Sequence, residues 1–107
     1  MNYEKRYDED GKVAVLLSPG FGAGWSTWAR GEDQCEGMLF DSRLVDHVLI
    51  NGTENLASFA ESLGYTTYTG GAKDVEVYWL EPGTRFVIDE YDGSESIKTF
   101  DDLIYTA

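Results

Sequence analysis

The sequence predicts an α+β fold, a small, mostly antiparallel sheet of four or five strands with a helical hairpin packed on one face. Three observations carry this. The run Val13-Ala14-Val15-Leu16-Leu17 is apolar on both faces, as suits a central strand covered on two sides. Between residues 42 and 63 the apolar side chains recur at helical spacing, and from Tyr65 onward they alternate instead.

Taken in order, residues 1–11 are polar and end in the turn pair Asp10-Gly11, which predicts an N-terminal tail or a first edge strand. The central strand follows, and then a glycine and aromatic loop from Ser18 to Trp28. For residues 25–37 the expectation is loop with one short helical turn, because Gly31 and Gly37 argue against anything longer. Asp41 or Ser42 caps a helix with Leu44, Val45, Val48 and Leu49 on one stripe, stopped by Asn51-Gly52. Thr53 caps a second helix that places Leu56, Phe59, Ala60 and Leu63 together, with Gly64 as its stop. Residues 65–68 form a short strand. Val75 to Trp79 and Phe86 to Ile88 then form a hairpin across Glu81-Pro82-Gly83-Thr84, and Asp92-Gly93 leads into a further strand from Ser94 to Thr99. Residues 100–107 close as a tail that packs Leu103 and Ile104.

With 107 residues, 42% of them hydrophobic and 14% aromatic, the composition is that of a single folding domain, expected alone or as a small homo-oligomer. No apolar run approaches the roughly 20 residues of a membrane helix. The first residues lack the apolar centre of a signal peptide, so a cytoplasmic location is expected. Cys35 is the only cysteine and cannot form an internal disulfide, in keeping with a reducing compartment. A net charge of −12, from 20 acidic and 8 basic residues, repels phosphate backbones and acidic membranes. It serves either solubility or imitation of nucleic acid in a basic cleft of another protein.

The candidate site is the loop. Gly20, Gly22 and Gly24 allow backbone N–H groups to converge on an anion, with Ser18, Ser26 and Thr27 as hydroxyl donors, or else they allow a tight bend and close packing. Phe21, Trp25 and Trp28 either fill the core or offer flat faces to a purine. The spacing matches neither a phosphate loop nor a dinucleotide fingerprint. Arg43, at the start of the first helix of the hairpin, either pairs with Asp41 or reaches an anion held by the loop. Arg85 reads as a cross-strand ion pair. His47 has neither a second histidine nor a cysteine at metal spacing, so no metal site is expected. Ser18, Ser26 and Cys35 lie in no recognised nucleophile arrangement with it, so no catalytic residues and no cofactor are expected either. Asp89-Glu90-Tyr91-Asp92 reads as a solvated hairpin end.

The strings from Lys12 to Trp28, Phe40-Asp41-Ser42-Arg43 and Glu90-Tyr91-Asp92-Gly93-Ser94-Glu95 resemble a family of small bacteriophage proteins. That resemblance implies a role against host defence, in the host cytoplasm. Two functions are expected from the residues and the resemblance together. One is a non-enzymatic protein that sequesters a small nucleotide-derived ligand through the loop and Arg43. The other is an acidic inhibitor that binds a basic, nucleic-acid-handling host protein. Neither involves direct nucleic-acid or membrane binding.

Overall fold

The computed structural model describes residues 2–67 and 69–99. It is α+β: β1 (Val13–Leu17), three helices α1 (Glu32–Phe40), α2 (Ser42–Asn51) and α3 (Leu56–Ser62), then β2 (Glu76–Leu80), β3 (Phe86–Tyr91) and β4 (Ser94–Thr99). Among the described residues, the four strands do not form one sheet. They divide into two antiparallel ribbons, β1 with β2 and β3 with β4.

This division corrects the expected hairpin across residues 81–84. β2 pairs with β1, from Val13 opposite Leu80 to Leu17 opposite Glu76. Burial explains the choice. Ala14 and Leu16 join Trp25, Met38, Leu44, Val45, Leu56, Ala60 and Tyr65 in the core, and Val77 and Trp79 extend that apolar face onto β2. Paired with β3 instead, β2 would exchange this buried neighbour for a strand bearing Asp89 and Glu90. The Glu81 to Thr84 turn still closes, with the Thr84 amide and hydroxyl both donating to the Glu81 carbonyl, but it only redirects the chain. β3 instead pairs with its nearest neighbour β4 through Asp92 and Gly93, whose φ values of 51° and 86° suit a two-residue hairpin turn.

On its other edge β1 meets the N-terminal segment. The Ala14 amide donates to the Arg6 carbonyl at 2.9 Å, and Tyr7 bridges to Val13. The segment makes isolated bridges at Lys5 and Tyr7, not a continuous edge strand.

The helical layer follows the sequence in part. Asp41 caps α2, accepting from the Arg43 amide at 2.9 Å, and the helix ends at Asn51 before Gly52. Gly64, with φ 101°, follows α3 as its stop. Two expectations for the helices fail, and one for a strand. Thr53 is not a cap: α3 begins at Leu56, and the Thr53 hydroxyl donates to the Lys73 carbonyl. α1 is a nine-residue helix running through Gly37, where only one short turn was expected. Residues 65–67 form no strand, because the Tyr65 amide closes α3 on the Ala60 carbonyl and the Thr66 amide donates to the Gln34 side chain. Tyr68 and the expected tail at residues 100–107 lie outside the described residues.

Candidate functional site

The loop after β1 is built around one carboxylate. Glu95, on β4, is 2% exposed. Its Oε1 accepts the Ser18 amide at 2.9 Å, and its Oε2 accepts the amides of Trp25 at 2.8 Å and Thr27 at 3.0 Å and the Thr27 hydroxyl at 2.5 Å. Backbone donors do converge on an anion here, but they are the amides of Ser18, Trp25 and Thr27 rather than the expected glycine amides, and the anion is the chain's own glutamate.

Strand geometry puts Glu95 there. Alternation along β4 places Glu95, Ile97 and Thr99 on one face, opposite Glu90, Ile88 and Phe86 of β3. Two carboxylates directly opposed would repel. Each is compensated by its own donors, and Glu90 Oε1 accepts the Gly93 amide at 2.7 Å and the Trp28 indole N–H at 3.1 Å. The Gly93 amide first, and then Trp28, hold the Glu90 carboxyl below its usual range against a smaller desolvation effect.

Backbone contacts complete the attachment. The Glu95 amide donates to the Ser18 carbonyl, the Ser94 hydroxyl to the Pro19 carbonyl, and the Gly22 amide to the Asp92 carbonyl at 2.9 Å. Gly22 needs glycine for its φ of 105°. Gly20 and Gly24 need it for space, since a Cβ at Gly20 would fall 2.7 Å from the Asp74 carboxyl and one at Gly24 would fall 2.6 Å from the Trp28 ring.

The aromatic residues separate into two roles. Trp25 is fully buried, with its indole N–H on the Met38 carbonyl at 2.7 Å, and Ser26 beside it is also buried. The Ser18 hydroxyl turns inward to the Ala23 carbonyl. Phe21 stands 71% exposed and Trp28 37% exposed. Tyr91, absent from the expected site, is 76% exposed. Phe21 and Tyr91 are the chain neighbours of Gly22 and Asp92, whose backbone hydrogen bond joins the loop to the ribbon turn, and Asp89, Glu90 and Asp92 lie on the same end of the ribbon in sequence. Among the described residues, Asp89 and Asp92 have no cation within ion-pair distance.

Arg43 belongs to a different part of the surface, a groove it shares with Asn2, Tyr3, Glu4 and Ser42. Its guanidinium grips Asp41 through Nε at 3.0 Å and Nη2 at 2.7 Å, the ion-pair alternative of the two expected. Tyr65 donates to the same carboxylate at 2.8 Å. Burial pushes the Asp41 carboxyl up, but the hydrogen bonds from Arg43 and Tyr65 outweigh it and hold the group below its ordinary value. Burial first, and then Asp41, raise the Tyr65 phenol, which keeps it a donor.

The lowered Asp41 value has a definite sign. Its unfolded carboxyl takes a proton near pH 3.9 and the folded one only at lower pH, so this stabilisation is complete above about pH 4 and fades as pH falls through the folded value. Asp41→Asn is expected to flatten the fall of melting temperature between about pH 5 and pH 2. An unchanged slope in thermal melts would contradict the assignment.

The groups considered for nucleophilic chemistry are held apart. Cys35 donates to the Ala29 carbonyl, while His47 stacks on Phe59 and bonds the Glu54 carbonyl through Nε2. Among the described residues no three metal-ligating side chains cluster, and no helix is long and apolar enough to cross a membrane. Comparison with protein-family models, characterised proteins and solved structures finds no match.

Sequence reasoning missed Glu95, which looked like one more of 20 acids. The available signal was its parity with Ile97 in an alternating strand, which assigns it to the apolar face.

Proposed function

We propose that the chain is a non-enzymatic protein that binds a basic, nucleic-acid-handling protein and blocks it, using the acidic and aromatic end where the loop meets the β3–β4 ribbon. The observation that carries this reading is the occupation of the converging Ser18, Trp25 and Thr27 amides by Glu95. A phosphate seeking those amides would have to expel Glu95 and its four hydrogen bonds. Without those amides a nucleotide relies on stacking on Phe21 or Trp28, worth about 1–3 kcal/mol per base. Millimolar affinity already requires about 4 kcal/mol, so stacking alone falls short of sequestration.

A basic protein surface meets different chemistry. Asp89, Glu90 and Asp92 supply charge, Phe21 and Tyr91 supply rings that an arginine can stack on, and the net charge of −12 accelerates the encounter. The resemblance to small phage proteins suits an inhibitor of a host enzyme.

Titration against a set of purified basic nucleic-acid-binding proteins is expected to show binding that weakens at least tenfold between about 50 and about 300 mM salt. Phe21→Ala with Tyr91→Ala should weaken it further. Cyclic nucleotides and ADP-ribose derivatives should leave tryptophan fluorescence and melting temperature unchanged. Thermal stabilisation by such a nucleotide, with no basic protein bound, would overturn the proposal in favour of sequestration.

A further inference from the structure

β3 is paired along its whole length with β4. Along its opposite edge, among the described residues, no backbone group pairs with it. β1, in contrast, is flanked by β2 and by the N-terminal segment. The outer edge of β2 also lacks a strand partner among the described residues, but four of its five residues are half-buried, whereas four of the six in β3 are exposed. An open edge presents unsatisfied N–H and C=O groups to any extended chain.

We propose that this edge of β3 receives an extended basic segment of the partner protein as an added strand; the inference rests on the basic-partner reading above. Register defines the chemistry. Val87, Asp89 and Tyr91 share the outer face of the ribbon with Lys98, Ser96 and Ser94, and Val87 is 49% exposed. A strand laid beside β3 places side chains about 5 Å from these three, so the matching segment reads apolar, basic, apolar at alternate positions. Main-chain hydrogen bonds supply general affinity and the residue opposite Asp89 supplies selection. The same acids disfavour a second copy of this chain on the edge, since two molecules each carrying −12 would oppose Asp89 and Glu90 to their own equivalents.

The test uses the whole protein and three synthetic peptides of about eight residues, the length of a longer strand. One, the alternating peptide, carries valine, arginine and valine at alternate positions with threonine between them, one has the same composition in a blocked order, and one replaces arginine with glutamate. Amide exchange by NMR is expected to show every second amide of residues 86–91 exchanging freely in the free protein and becoming protected when the alternating peptide is added. Asp89→Lys, at an exposed position, should weaken that peptide about tenfold. The glutamate peptide should not bind. Equal binding of the blocked peptide, or binding without new protection in β3, would overturn edge addition while leaving the basic-partner reading standing. If basic proteins bind and the alternating peptide does not, edge addition falls alone. Protection of the outer amides in the free protein, whether by its own chain or by a dimer detected in solution, would also overturn it.

Discussion

Glu95→Ala is expected to remove about 3–5 kcal/mol of stability, because it strands three amides and a hydroxyl that were folded around one carboxylate, at about 1–3 kcal/mol for each buried group left unpaired and less where water enters. A domain of this kind has only about 5–15 kcal/mol in total. The loop is the attachment point between β1 and the ribbon, so the loss should be global. Urea denaturation should show a lower midpoint, with the emission of Trp25 shifting red as the loop opens. Glu95→Gln preserves the shape and one acceptor oxygen, but turns an NH2 toward amide donors, and should cost about 1–3 kcal/mol. If Glu95→Ala falls within about 0.5 kcal/mol of the native chain, as a surface substitution would, the carboxylate does not organise the loop.

Gly37→Ala is expected to destabilise by about 2 kcal/mol net, although an alanine inside a helix ordinarily gains about 1 kcal/mol over glycine. The new Cβ would fall 2.1 Å from the Tyr65 hydroxyl and 2.6 Å from its Cε1. That ring is fully buried and its hydroxyl is fixed to Asp41. It cannot swing away without losing a hydrogen bond to a charged acceptor, itself worth about 1.5–3 kcal/mol. Steric strain therefore outweighs propensity. In a Tyr65→Leu background, which removes the hydroxyl and shortens the side chain, the same substitution should become neutral or stabilising, and denaturant titrations of the four chains give the coupling directly. Stabilisation by Gly37→Ala in the native background would show that Tyr65 does not rest on α1.

These two residues also mark where sequence reasoning stopped. Gly37 counted against a helix because propensity knows only the backbone, whereas its reason for being glycine is a tyrosine 28 positions later in the chain. Glu95 was indistinguishable by type from its solvated neighbours, and its role depends on three amides contributed from about 70 residues upstream. Features written in adjacent residues were readable. The Asp41 cap, the Gly52 and Gly64 stops, the apolar β1 and the Asp92-Gly93 turn each follow from a conformation that a short stretch prefers regardless of its surroundings. The predicted ligand loop falls between these cases. Its glycines signalled tight packing, but the amides that converge belong to Ser18, Trp25 and Thr27, and residue types within the loop carry no information about which anion those amides would meet.

The sequence by itself determined the α+β class, the buried first strand and the termini of α2, because hydrophobic period, caps and turn residues act over a few positions. Tertiary structure alone decided that β2 pairs with β1, that Glu95 fills the loop, and that Phe21 and Tyr91 face solvent while Trp25 does not. The physical reason is that pairing and burial depend on the free energy of surfaces brought together from distant parts of the chain, and many pairings satisfy the same local preferences until one of them buries the apolar face and leaves no interior donor without an acceptor.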